Sequence, residues 1–191
     1  VQIAEYTQAE KRLKQVLKSD SAVPRLHLAL ALLLREQGRL QETTEVLTQA
    51  NEKFPKNMEI KRELAQSLEA VGDIPGALVL ARVLVEHSPK DMDLQRFCAR
   101  LIMRAGLVHE AENAFRAILT QVPDDPAIMN DLAWLLRRDP NRLQEALKLV
   151  KRSIALDPTD PNAWDTLSAL RTKSGDYEGA LEAVERAIAL S

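Results

Sequence analysis

The stretch PNAWDTLSALRTKSGDYEGALEAVERAIALS, Pro161 to Ser191, decides how the whole chain is read. Its apolar and small residues step by three and four, at Trp164, Leu167 and Ser168 and again at Ala180, Val184 and Ala187. That is the period of a helix that buries one face. Gly175 divides the two runs, and glycine readily takes the left-handed backbone that ends one helix before a tight turn. Asp160-Pro161 opens the first run, an N-cap followed by a proline in the first helical turn. The stretch is predicted to be two helices folded back on each other.

The same layout recurs toward the N-terminus. Small residues stand at Ala9, Thr43, Ala77, Ala111, Ala146 and Ala180, at intervals of 34, 34, 34, 35 and 34. Bulky residues recur at Tyr6, Leu40, Ile74, Val108, Leu143 and Tyr177, and a further column runs Leu13, Leu47, Ala81, Phe115, Val150 and Val184. Gly38, Gly72, Gly106 and Gly175 mark one point, where Asn141 stands in once and is expected to take the same left-handed turn. Pro55, Pro89, Pro123 and Pro158 close the second helix of each pair, because proline cannot donate to the preceding turn. Small residues are expected where two helices approach closely. Pro140 falls in the one interval with an extra residue, so it is expected in a loop and not within a helix.

Composition narrows the function. Lys and Arg number 26 against 28 Asp and Glu, a net charge of −2, which argues against a dedicated nucleic-acid binder. The longest apolar run, Leu28 to Leu34, is too short to span a bilayer, so no direct membrane insertion is expected. Cys98 is the single cysteine and is expected in the core, which leaves no internal disulfide and no cysteine-based zinc site. His27, His87 and His109 never approach metal-ligand spacing, and no phosphate loop or nucleophile motif occurs. No enzyme activity, cofactor or metal is predicted. The chain begins with Val, so it is expected to come from a longer protein, and its compartment, periplasmic or cytoplasmic, is left open.

The Pro161–Ser191 unit resembles the tetratricopeptide repeat, with the pattern W-x2-L-G-x2-Y, then A-x3-F, then A and P. Trp164, Leu167, Ser168, Ala180, Val184 and Ala187 match it, and Arg171 departs from its tyrosine. The resemblance covers nearly the whole chain. It implies an all-α, right-handed α-solenoid of antiparallel helix pairs: a partial repeat at 1–23, second helix only, then five full repeats at 24–57, 58–91, 92–125, 126–160 and 161–191, the last with no capping helix. It further implies a non-catalytic scaffold for a partner protein or peptide. Its nearest likeness is to bacterial members that serve envelope assembly, such as polysaccharide export or pilus biogenesis.

In this family the first helix of each pair lines a concave groove. Read so, the groove collects Arg25, Leu28, Leu32 and Arg35 early in the chain, and arginines around one tryptophan later. Arg and Trp are over-represented among residues that carry binding energy, and Arg pairs with carboxylates in a bidentate way. The expected partner-binding residues are Arg96, Arg100, Arg104, Asn130, Trp134, Arg137 and Arg138, and the expected ligand is an acidic segment with apolar anchors. The competing reading has these arginines paired with Asp93, Asp131 and Glu69 as a solvated face, with Trp134 filling space between helices. The resemblance also permits comparison with co-chaperones that grip a terminal carboxylate through Lys, Asn, Asn, Lys and Arg. Neither Arg62, Gln66, Phe97, Ala127 and Asp131 nor Arg96, Arg100, Asp131, Asn162 and Thr166 reproduces that clamp. Self-association through the solenoid ends is a further expectation, and RNA reading is disfavoured by the acidic balance.

Overall fold

The computed structural model describes residues 2–17 and 23–191, with side chains from residue 7 onward. Tyr6 and part of the 1–23 segment therefore lie outside the residues or side chains described. The described residues form eleven α-helices and one 3₁₀ turn, with no strand among them. The helices are α1 (Gln2–Leu17), α2 (Pro24–Glu36), α3 (Leu40–Lys53), α4 (Met58–Ala70), α5 (Ile74–His87) and α6 (Met92–Arg104). They continue as α7 (Val108–Gln121), α8 (Pro126–Leu136), α9 (Leu143–Leu156), α10 (Pro161–Ser174) and α11 (Tyr177–Leu190). The chain divides into two compact units, residues 1–94 and 95–191, so that the division falls inside α6. Within each unit the fold is all-α and solenoid-like. Short links force consecutive helices into neighbouring pairs, α2 with α3 and α4 with α5 in the first unit, α8 with α9 and α10 with α11 in the second.

The repeated columns have physical counterparts. Ala77, Ala111 and Ala146 are fully buried, Thr43 and Ala180 nearly so, which is what close helix packing requires of those positions. Gly38, Gly72, Gly106 and Gly175 all have positive φ, between 72° and 88°, at the turn inside each pair. Asn141 does not share that conformation. No non-glycine described residue has positive φ, and the extra residue is absorbed instead by the 3₁₀ turn Pro140–Arg142, capped by Asp139 through the Asn141 amide. Pro140 opens that turn and leaves α8 and α9 unbroken. Arg171, where the family pattern has tyrosine, donates from Nη1 to the Gly179 carbonyl of the next helix at 2.7 Å.

Each unit buries its own core. In the first, Ala31, Leu47 and Leu64 form a buried cluster against Leu28, Val46, Leu68 and Leu80. In the second, Phe115, Ile118, Ile128, Leu132, Val150 and Leu170 are withdrawn from solvent, and Cys98 is buried as well. Helix starts are fixed by side-chain caps: Asn57, Asp73, Asp125, Asp160 and Asp176 each accept a hydrogen bond from a backbone amide in the first turn. Arginine–carboxylate bonds tie neighbouring pairs together. Arg142 grips Glu112 with two parallel bonds of 2.7 and 2.8 Å, and this contact holds the Glu112 carboxyl down at about 2.

Candidate functional site

In the second unit, α6, α8 and α10 together border an open concave site of about 430 Å³. It is lined by Arg100 and Met103 from α6, by Ala127, Asn130, Asp131 and Trp134 from α8, and by Asp160, Asn162, Asp165 and Thr166 at the start of α10. That volume lies within the range that receives small ligands or a few side chains of a peptide. The helical period explains the α8 set. Ile128, Met129, Leu132, Ala133, Leu135 and Leu136 are buried, Asn130 is buried at their edge, and Asp131 and Trp134 fall on the flank beside it.

Three of the seven residues expected from sequence, Arg100, Asn130 and Trp134, meet in this lining. Trp134 is half-buried, and the Arg137 guanidinium lies over its ring, with Cζ 3.5 Å from the centroid. Arg137 therefore braces the indole and does not itself line the site. Its Nε is buried without a hydrogen-bond partner, as a stacked guanidinium permits. Arg96 is engaged elsewhere: its Nε donates to Asp125 Oδ2 at 2.6 Å, and that carboxylate caps α8. Arg104 and Arg138 are exposed and outside the lining. So the arginine cluster seen in sequence is dispersed, and Arg100 alone of it borders the cavity.

The lining has two features that sequence reasoning missed. Asn130 is only 8% exposed, and its Oδ1 is buried with no hydrogen-bond partner. A buried amide oxygen without a donor costs roughly 1–3 kcal/mol, so such an atom beside a cavity marks a place for a ligand donor. Asp131 is half-buried, and burial raises its carboxyl from 3.8 to about 6, helped by the charges of Asp125 and Asp160 and opposed by Arg100. Counting along the helix places Asp131 among the groove positions, but nothing in the sequence reports its desolvation.

Asp131 makes a testable contribution to stability. Its folded pKa lies above its unfolded one, so the stability it confers is complete below about pH 4 and is lost as pH rises through about 6. The full shift corresponds to at most ~3 kcal/mol, and partial exposure reduces it. Asp131→Asn is expected to raise stability by ~1–2 kcal/mol near neutral pH and to change it little near pH 4. Urea unfolding at the two pH values checks this; equal effects at both would refute it.

Paired helices with a concave site bordered by successive first helices define a helical-repeat protein of the binding class. Models described as tetratricopeptide repeat match residues 34–101 in one case, and residues 1–42 and 99–161 in another. The chain belongs to the tetratricopeptide repeat family. It is 26% identical over 139 residues to the mouse Protein O-mannosyl-transferase TMTC1, covering 71% of this chain and 15% of that protein. It is 28% identical over 132 residues to Protein FlbA of Caulobacter vibrioides, covering 67% and 21%. The chain thus spans about a fifth or less of the length of these curated relatives. Among solved structures, a tetratricopeptide repeat protein from Parabacteroides merdae aligns over 100% of this chain and 75% of its own, with TM-score 0.84 and 22% identity. YrrB, a TPR protein with an unusual peptide-binding site, aligns over 94% and 92%, with TM-score 0.66 and 14% identity.

Proposed function

We propose that the chain is a non-catalytic interaction scaffold, built of repeats at 24–57, 58–91, 92–125, 126–160 and 161–191 after a partial one. Its concave site in the second unit holds an extended segment of a partner protein. One observation carries the reading: Asn130, whose amide is unpartnered and whose Oδ1 is buried, lines the cavity together with Trp134. An amide side chain can both donate to and accept from a peptide backbone, which suits recognition of an extended chain. The neighbouring indole offers a rigid apolar surface of the kind that anchors partners. The similarly folded YrrB has a peptide-binding site, and that likeness supports the same use here. The resemblance to bacterial envelope proteins supports envelope assembly, such as polysaccharide export or pilus biogenesis, as its setting.

Selection from a random-peptide phage library on the immobilised protein tests this. Enriched peptides are expected to lose ~10–100-fold in affinity on Trp134→Ala, the loss of a central aromatic contact. Peptides that bind wild type and Trp134→Ala alike would place recognition elsewhere. A second reading rests on α11, where Tyr177, Leu181 and Ile188 are 71%, 61% and 70% exposed. Such a face serves self-association. Light scattering over a concentration series separates the two, since a constant monomer mass removes the second.

A further inference from the structure

Arg62, Arg96 and Asn130 occupy the same place, the fifth residue of α4, α6 and α8. Each precedes, by 29 or 30 residues, an aspartate at the start of the next first helix: Asp91, Asp125 and Asp160. In the first two cases the carboxylate divides its oxygens. Asp91 Oδ1 accepts from the Leu94 amide at 3.1 Å, and Oδ2 accepts from Arg62 Nη2 at 2.8 Å. Asp125 Oδ1 accepts from the Ile128 amide at 3.1 Å, and Oδ2 accepts from Arg96 Nε at 2.6 Å.

The third case departs from this pattern. Asp160 Oδ1 accepts from the backbone and side-chain nitrogens of Asn162, and no donor among the described residues reaches its Oδ2. The shorter Asn130 replaces the arginine; it lines the same cavity, and its amide has no partner, with Oδ1 buried. Asp160 and the unpartnered Asn130 amide thus border the site, with the half-buried Asp131 and the exposed Asp165 beside them. Three carboxylates face one cation, Arg100, so the lining is complementary to positive charge.

We propose that this site receives an arginine side chain from an extended segment of a protein partner, which supplies to Asp160 from outside the guanidinium that Arg62 and Arg96 supply to Asp91 and Asp125 from within. Arginine fits better than lysine because its planar fork can donate at once to the Asp160 carboxylate and, with the Asn130 amide turned over, to its carbonyl. Its aliphatic stem would lie along the indole of Trp134. The proposal rests on the reading of this face as a peptide-binding site, and it replaces the acidic ligand expected from sequence with a basic one.

The test uses peptides selected from a random library on the wild-type chain. They are expected to share an arginine, and replacing it by citrulline, which keeps the shape and removes the charge, is expected to lower affinity ~10-fold or more. Asn130→Arg restores the arrangement of the earlier repeats, so its side chain should pair with Asp160 and occupy the site. That variant is expected to unfold at the same or a higher temperature and to bind the selected peptide at least ~10-fold more weakly. Asp131→Asn, which removes a carboxylate without adding bulk, is expected to weaken binding as well and serves if Asn130→Arg does not fold. Peptides that depend on Trp134 yet carry no basic residue, or that bind both variants as tightly as wild type, overturn the arginine site and leave the peptide-binding reading standing. Peptides indifferent to Trp134→Ala overturn both.

Discussion

Phe115→Ala is expected to destabilise the chain by ~3–5 kcal/mol, the largest single loss that the core offers. Phe115 lies on α7 at 0% exposure, is the largest of the fully buried side chains, and stands in the column that also holds Leu47, Ala81 and Val150. Truncation removes the transfer energy of the ring and leaves a cavity between helices whose small alanines cannot move in to fill it. Domains are stable by only ~5–15 kcal/mol, so this one change takes a large share of the total. Repeat arrays pass stability between neighbours, and the loss should therefore reach the helices on both sides of α7. Urea unfolding reads it as a lower midpoint, with Phe115→Leu intermediate. A loss under ~1 kcal/mol would mean that the ring is not packed as described.

Arg96→Ala is expected to cost ~2–4 kcal/mol while leaving peptide affinity unchanged. Asp125 is almost fully buried, with 6% of its side chain exposed, and its two oxygens satisfy both the α8 cap and Arg96. Removing the guanidinium leaves a buried carboxylate with one of its two partners gone. Such half-broken pairs are destabilising well beyond the value of an exposed ion pair. Lysine at 96 should restore only part of the loss, since it lacks the directed Nε donor. Arg100→Ala is the contrast: an exposed side chain at the cavity rim, expected to change stability by less than ~0.5 kcal/mol. Equal stability losses for the two arginines would contradict the separation of scaffold from site.

These two arginines show where sequence stopped being informative. The small, glycine and proline columns were legible because each answers a backbone constraint that recurs in every repeat: close approach, positive φ, or helix termination. The extra residue near Pro140 was legible as an interruption. Its 3₁₀ conformation at Asn141 was not, because an asparagine standing in a glycine column says nothing of how the link reroutes. Trp134 could be placed off the buried stripe by counting, and it lines the cavity. Arg96 could not be separated from Arg100 in the same way. What distinguishes them is a partner 29 residues later, and the sequence does not report which of two arginines on one helix reaches it. The sequence carries the exchange of arginine for Asn130, but only the contacts of Arg62 and Arg96 with the next repeat's aspartate give it meaning.

The most direct test of a binding face in the second unit is chemical-shift mapping of the isotope-labelled chain with a peptide selected on the wild type. The largest shifts are expected on Asn130, Asp131, Trp134, Asn162 and Thr166, around the cavity. Shifts confined to Leu28 and Leu32 in the first unit, or to the exposed face of α11, with the cavity residues unmoved, would contradict it.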